Sequence, residues 1–276
     1  MKIEEILAVK HLSVEFQTLD GKKQVVKDVS LSLRQGEVLA LVGESGCGKT
    51  VLCRSILKLL PKNASVTGEA IQYKDQNLIG YNEKEMQQIR GGGIAMVFQD
   101  PQSTLNPTMT VGSQIEEAIL LHEKALKQNK KESAKAQAIA LMKLVGIKDA
   151  EQRFDLYPYH FSGGMRQRCV LAVALASNPK LLIADEPTTA LDVTIQAEIL
   201  ELLKRLQKEL QLSILFVTHD LGVVAQIADR VAVMKDGEIV ELEEAKQLFE
   251  SPKHSYTKKL LHDHPYYMQR NEQELK

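Results

Sequence analysis

The sequence has little of what would place it in a membrane or cross-link it covalently. No apolar run approaches the roughly 18 residues needed to span a bilayer. Residues 1–5 are acidic and contain no apolar signal core. The three cysteines are an odd number, and none is spaced as in a metal site or a disulfide framework. These absences predict a cytosolic protein whose cysteines are small buried residues in a reducing compartment.

An excess of charge of either sign is also missing. The chain has 35 Lys and Arg against 36 Asp and Glu, a net charge of −1. This balance argues against a nucleic-acid binder held by bulk charge. We therefore interpret the lysine-rich residues 124–135 as a solvated helix face or loop. At 276 residues, 44% of them hydrophobic, the chain can bury a large core.

The apolar pattern indicates an α/β core. Strand patterns come first, at residues 6–16 and 25–33, and residues 38–42 are a continuous apolar run typical of a strand buried on both faces. Further candidate parallel strands are residues 94–98, 181–184, 214–218 and 231–234. Helical patterns separate most of these runs, one of them at residues 50–60 before Pro61. The alternation predicts right-handed crossovers between parallel strands.

Residues 107–178 have a different character. Helical patterns occur at residues 112–125, 131–145 and 163–177, with little strand pattern. We interpret residues 107–178 as a helical subdomain inserted between two core strands. The main domain is predicted at residues 4–250, followed by an extension at 251–276.

A glycine-rich segment, here called the P-loop, directly follows the strand pattern 38–42. It fits the phosphate-binding template G-x-x-x-x-G-K-[ST] and consists of Gly43, Glu44, Ser45, Gly46, Cys47, Gly48, Lys49 and Thr50. Its glycines let successive N–H groups face a polyphosphate, and the following helix adds its dipole. Lys49 is predicted to reach the β- and γ-phosphates, and the Thr50 hydroxyl to bind Mg²⁺.

Acidic and polar side chains follow three of the other strand patterns. Asp185 is predicted to hold Mg²⁺ directly or through water, and Glu186 to act as general base on the attacking water. His219 follows residues 214–218 at the same predicted sheet edge, so we expect it to contact the γ-phosphate. Gln99 is either a contact to Mg²⁺ and water or only a polar loop residue, and the residues alone do not decide.

A second helix start lies between the P-loop and Asp185 in the sequence. Ser162, Gly163 and Gly164 cap and open a helical pattern. An ordinary N-cap explains the serine, and it still leaves a helix terminus that can bind an anion.

Residues 161–168 resemble the signature motif of ATP-binding cassette (ABC) ATPases. Phe161 and Met165 depart from the family's Leu-Ser-Gly-Gly-Gln. The resemblance covers about residues 4–250 and includes the family's diagnostic motifs in order. It implies a P-loop (RecA-like) α/β core with an N-terminal antiparallel β subdomain and an inserted helical subdomain.

The resemblance also implies roles that spacing alone does not give. In this family two ATPase chains close on two ATP molecules, so Ser162 and Gly164, with Gly163 between them, would bind the γ-phosphate held by the second chain. Phe16 would stack on adenine, Gln99 would be the Q-loop residue, and His219 the switch histidine. Residues 190–192 would form the D-loop.

Two segments are similar to those of dipeptide, oligopeptide and nickel import ATPases: residues 98–107, and residues 251–261 with Ser255 in place of the usual proline. Peptide-type members commonly continue into a cysteine cluster, whereas this chain has no cysteine after Cys169. That absence favours import of nickel or a metal–metallophore complex, with dipeptide or oligopeptide import as the alternative. A soluble ABC ATPase outside transport and a nucleotide-binding regulator without turnover are the other classes considered.

The three histidines of the extension are weak evidence for a metal site. His254, His262 and His264 could suggest metal sensing, but we interpret the polar tail that carries His262 and His264 as solvated, because it has few rigid ligands nearby. Cys47 is either a thiol of low pKa near a helix N-terminus or a small residue tolerated there.

As a member of such an importer, the chain would use ATP and Mg²⁺. Its expected partners are two permease subunits, an extracytoplasmic substrate-binding protein and a second, non-identical ATPase, with no nucleic acid. It would lie at the cytoplasmic face of the cell membrane, bound peripherally through the permeases.

Overall fold

The computed structural model describes residues 4–100, 104–126, 133–189 and 191–263. The chain divides into two compact units. The first consists of Met1–Tyr81 and Ser213–Lys276, and the second of Asn82–Leu212. None of the helices within these described ranges is long and apolar enough to cross a membrane.

The first unit begins with an antiparallel sheet. Its elements in chain order are β1 (Glu5–Thr18), β2 (Gly21–Arg34), β3 (Val38–Val42), α1 (Lys49–Ile56), β4 (Ala64–Thr67), β5 (Ala70–Tyr73) and β6 (Gln76–Asn77). β1 pairs with β2, β4 and β5, all antiparallel, and β5 pairs with β6. This sheet is the N-terminal antiparallel β subdomain that the family resemblance implies.

The second unit is mainly helical. Its elements are α2 (Glu83–Ile89), β7 (Ile94–Val97), α3 (Val111–Leu126), α4 (Ala134–Leu144), α5 (Ala150–Arg153), α6 (Gly163–Leu175), β8 (Leu181–Asp185) and α7 (Val193–Leu210). β7 and β8 are parallel. Four of these helices, α3 to α6, fall within residues 107–178, and the limits of that subdomain stay a prediction.

The chain then completes the first unit. The elements are β9 (Ser213–Thr218), α8 (Leu221–Ile227), β10 (Arg230–Lys235), β11 (Glu238–Glu244), α9 (Ala245–Glu250) and α10 (Ser255–His262). β3 lies between β10 and β9 and is parallel to both. All five of its residues are buried, which is why residues 38–42 read as an unbroken apolar run. Parallel pairing is confirmed for these strands and for β7 with β8.

One helix is shorter than its pattern predicts. The apolar pattern extends to residue 60, but α1 ends at Ile56. Lys58 has a left-handed backbone (φ 51°), and its ammonium donates to the carbonyls of Ile79 and Tyr81. These tertiary hydrogen bonds pull the chain out of the helix before Pro61 is reached.

A buried ion pair between Glu37 and Arg230 connects two parts of the first unit. Glu37 precedes β3 and Arg230 opens β10, and their side chains are only 5% and 10% exposed. The Arg230 guanidinium lies 3.2 Å from Glu37 Oε1 and also donates to the Ser32 carbonyl. Glu37 Oε2 accepts the Arg34 backbone N–H at 2.6 Å. This pair therefore joins the β1–β2 sheet to the parallel strands of the same unit.

Replacing Arg230 with methionine removes one partner and leaves the Glu37 charge buried. We expect Arg230→Met to lower the free energy of unfolding by about 3 kcal/mol, measured by chemical denaturation. The double variant Arg230→Met/Glu37→Gln should recover most of this loss, because the neutral amide can still accept from Arg34. Lys22→Met, which removes an exposed ion pair with Glu15, should give no resolvable change. Equal stability of Arg230→Met and Lys22→Met would contradict the assignment.

Candidate functional site

The P-loop joins β3 to α1 in the first unit. A Cβ at Gly43 would lie 2.1 Å from the Met234 carbonyl oxygen, so no other residue fits there. The buried Lys49 ammonium donates to the carbonyls of Gly43 and Glu44, at 2.8 and 2.9 Å. The loop is therefore curled around its own lysine.

The start of α1 is suited to an anion. Its N-cap residue is Gly48 with φ 112°, and no side chain caps the first turn. An uncapped helix N-terminus presents N–H groups and the positive end of the helix dipole. Thr50, in that first turn, is partly exposed. A buried strand, a glycine-rich loop and a helix N-terminus in this order define a P-loop nucleotide-binding protein.

Cys47 is a buried thiol, not an activated thiolate. Burial raises its pKa from the ordinary value, and this outweighs the opposing effect of the Lys49 ammonium. The low-pKa alternative is therefore wrong, and the small-residue interpretation fits.

Two further predicted site residues belong to the first unit. Phe16 lies on β1, partly buried, opposite Lys23 on β2 and Ala64 on β4. His219 is exposed and directly follows β9. The next residue, Asp220, caps α8 by accepting the N–H groups of Gly222 and Val223. The roles of Phe16 and His219 at a nucleotide stay predictions.

The second unit brings three predicted site residues, Asp185, Glu186 and Gln99, together at the end of β8. Asp185 is the last residue of that strand and is 2% exposed. Glu186 follows with a left-handed backbone (φ 48°), which is uncommon for a residue other than glycine and clusters at functional sites. Its Oε2 accepts from Gln99 Nε2 at 3.0 Å and from Thr189 Oγ1 at 2.9 Å. The Glu186 carboxylate is thus held in one orientation, and Thr189 is a contributor that sequence reasoning missed.

The signature segment, residues 161–168, starts α6 at a crowded position. Ser162 caps the helix by accepting the Met165 N–H, and Ser162 and Gly163 are exposed. Gly164 is buried, and a Cβ there would lie 2.4 Å from Ile195 Cγ2 on α7. The start of α6 therefore packs directly against the start of α7.

The start of α7 contains the described part of the predicted D-loop. Asp192 caps α7 by accepting the Ile195 N–H at 3.0 Å, and Leu191 precedes it. Ala190, the remaining D-loop residue, is outside the described residues. One turn into each helix, Arg168 on α6 donates to Glu198 on α7 at 2.9 Å. The spacing of the motifs does not predict the contact of Ile195 with Gly164 or that of Arg168 with Glu198.

The histidines of the extension have ordinary positions where the structure describes them. His254 Nδ1 accepts the Tyr256 N–H and caps α10. His262 is exposed at the end of α10, and its Nδ1 lies 3.4 Å from Asp263. His264 is outside the described residues.

Comparison with known proteins gives a family. Residues 26–189 match the ABC transporter family. The chain is 52% identical over 277 residues to the oligopeptide transport ATP-binding protein OppD of Bacillus subtilis, covering 100% of this chain and 76% of OppD. It is 52% identical over 260 residues to the dipeptide transport ATP-binding protein DppD of the same organism, covering 94% of this chain and 76% of DppD.

Solved structures show the same fold. cbiO1 from Clostridium perfringens, part of the ABC transporter complex cbiONQ, has a TM-score of 0.77 at 27% identity, covering 98% of this chain and 99% of cbiO1. The dimeric post-hydrolysis state of the ATP-binding cassette MJ0796, bound to ADP and Pi, has a TM-score of 0.71 at 27% identity. That match covers 87% of this chain and 98% of MJ0796. The chain belongs to the ABC transporter family and is an ABC-type ATPase.

The contact between Gly164 and Ile195 gives a steric prediction. Gly164→Ala should lower the free energy of unfolding by about 1–2 kcal/mol, because its methyl group overlaps Ile195. Adding Ile195→Ala should recover part of this loss, since the nearest remaining side-chain atom is the Ile195 Cβ at 3.6 Å. Gly163→Ala is the matched control for stability, because its Cβ would meet nothing closer than Leu191 Cδ2 at 3.8 Å. Equal denaturation midpoints for the Gly163 and Gly164 variants would contradict this packing.

Proposed function

We propose that this chain is the ATP-hydrolysing subunit of an ABC importer of dipeptides or oligopeptides. The observation that supports hydrolysis best is the Glu186 carboxylate, held by Gln99 and Thr189 directly after Asp185. A nucleotide-binding regulator without turnover has no need of such an oriented carboxylate.

In the proposed ATP complex, the P-loop binds the phosphates. The N–H groups of Ser45, Gly46, Cys47 and Gly48 would surround the triphosphate together with those of the first turn of α1. The Lys49 ammonium would exchange its carbonyl partners for β- and γ-phosphate oxygens. Phe16 would stack on the adenine ring.

The residue types fit magnesium. The Asp185 carboxylate, the Gln99 amide and the Thr50 hydroxyl all offer the oxygen ligands that Mg²⁺ prefers. Gln99 donates to Glu186 through its amide nitrogen, so its amide oxygen is the atom left to face a cation. Bound Mg²⁺ would neutralise phosphate charge as the bond to the γ-phosphate breaks.

Glu186 is the proposed general base. Its carboxylate would take a proton from a water molecule as the water oxygen attacks the γ-phosphorus, giving ADP and inorganic phosphate. His219 would contact the γ-phosphate from the end of β9. Ser162, Gly163 and Gly164 of a second ATPase chain would supply hydroxyl and N–H groups to the same phosphate.

The names of the curated relatives support one of the two substrate classes proposed from sequence. OppD and DppD are named for oligopeptide and dipeptide transport, which supports the peptide alternative and not nickel. Identity of 52% over the whole of this chain to a protein named for oligopeptide transport outweighs the preference for nickel. We therefore propose two permeases, an extracytoplasmic peptide-binding protein and a second, non-identical ATPase as partners. The chain would lie at the cytoplasmic face of the membrane through its permeases.

Glu186→Gln tests the general base. The amide oxygen can still accept from Gln99 and Thr189, so the side chain should keep its place while losing its basicity. We expect ATP hydrolysis to fall at least about 100-fold with ATP binding retained, and the ATP-bound dimer to accumulate in size-exclusion chromatography. Glu201→Gln, at an exposed position on α7, is the control and should hydrolyse ATP normally. A Glu186→Gln variant with normal turnover would show that another group is the base.

Uptake experiments test the substrate class. A strain lacking the gene should lose uptake of radiolabelled dipeptides or oligopeptides and keep uptake of labelled nickel. The wild-type gene should restore uptake, whereas Lys49→Ala should not, because it lacks the phosphate-binding ammonium. A nickel defect alone would reinstate the metal proposal, and normal uptake of both would favour a role outside transport.

A further inference from the structure

The P-loop is hydrogen-bonded to the C-terminal helix of the first unit. The backbone N–H of Glu44 donates to the hydroxyl of Tyr256, on α10, at 3.3 Å. Tyr256 is 6% exposed and packs in the same apolar cluster as Val42, the last residue of β3, and Val233 on β10. The Lys235 ammonium lies 5.1 Å from the ring centroid. The ring is therefore held on several sides, and its hydroxyl has a fixed direction.

A buried carboxylate anchors the start of α10. Glu241 on β11 accepts the backbone N–H groups of Lys253 and His254, at 2.8 and 3.0 Å. Burial by itself would raise the pKa of Glu241, but the hydrogen bonds it accepts outweigh burial and lower that pKa. The carboxylate is therefore ionised at neutral pH. His254 in turn caps α10 through Tyr256, so β11 sets the position of the tyrosine.

β10 and the turn that follows it support the P-loop at two other points. The Met234 carbonyl lies against Gly43, as described above. The Gly237 N–H, in the turn between β10 and β11, donates to the Cys47 carbonyl at 3.0 Å. Tyr256 adds a third support, at Glu44, whose carbonyl also accepts from Lys49. The residue that Tyr256 holds thus also holds the phosphate-binding lysine.

We propose that Tyr256 is a positioning residue for nucleotide binding: its hydroxyl holds the P-loop at Glu44 in the curve that receives the phosphates. The proposal rests on the proposed ATP site and goes beyond it, because it gives the C-terminal extension a role in that site. Fixing a binding loop in its bound shape before the ligand arrives raises affinity. The phenol need not touch the nucleotide, so the effect should fall on binding and not on the chemical step.

Tyr256→Phe removes the hydroxyl and keeps the ring in its apolar cluster. We expect the ATP dissociation constant and KM to rise about 3- to 10-fold, as for loss of one hydrogen bond, with kcat unchanged. Tyr73→Phe is the matched control, since Tyr73 is a buried tyrosine on β5, opposite Leu7 on β1, and should leave both constants as in the wild type. A lower kcat at unchanged KM for Tyr256→Phe would overturn the proposal.

Hydrogen exchange of the nucleotide-free chain separates this inference from the proposed function. In Tyr256→Phe the P-loop peptide containing the Glu44 amide should exchange faster, with the β1–β2 sheet unchanged. Glu241→Gln, which weakens the anchor of α10, should shift the same peptide less and also decides the matter if Tyr256→Phe fails to fold. Wild-type exchange of this peptide in both variants would overturn the proposal. If the wild-type chain does not bind ATP, the proposed function fails while this exchange test still decides the role of Tyr256.

Discussion

The first unit depends on the close approach of two backbone segments at Gly43. The P-loop leaves β3 against the carbonyl of Met234 on the neighbouring strand β10, in a space that excludes any Cβ. This contact fixes where the loop begins, and the curl around Lys49 fixes where it ends. A loop held at both ends loses little conformational freedom when a ligand binds, which favours binding.

In the second unit, the backbone conformation of Glu186 determines where its carboxylate points. A carboxylate that acts as a base must point at one place, yet it follows a buried strand that would otherwise continue. The left-handed backbone at Glu186 turns the chain out of β8, and Pro187 follows at once. Backbone strain of this kind costs about 1–3 kcal/mol, and the hydrogen bonds from Gln99 and Thr189 hold the side chain that the turn presents. The unfavourable backbone conformation and the fixed orientation of the carboxylate therefore both result from the turn at Glu186.

Sequence reasoning predicted the parts of this protein that depend on local pattern. The buried strand β3 follows from five apolar residues, and the P-loop follows from a fixed template with a strand before it and a helix after it. Contacts between distant residues were beyond such reasoning. Nothing near Tyr256 indicates that its hydroxyl meets Glu44, because the contact depends on how α10 packs against β3 and β10. The early end of α1 has the same cause, since Lys58 is drawn to carbonyls some 20 residues away in the chain.

The interactions of Lys49 connect the resting structure with the proposed activity. A buried ammonium needs partners, and in this structure two loop carbonyls provide them. A triphosphate carries full negative charge and is a far stronger partner than neutral carbonyls, so the exchange favours the nucleotide. In the proposed ATP complex, the carbonyls of Gly43 and Glu44 would no longer accept from Lys49, and the loop would have to keep its shape without that contact. The supports from β10, the β10–β11 turn and α10 then matter most, because they hold the loop without involving its lysine.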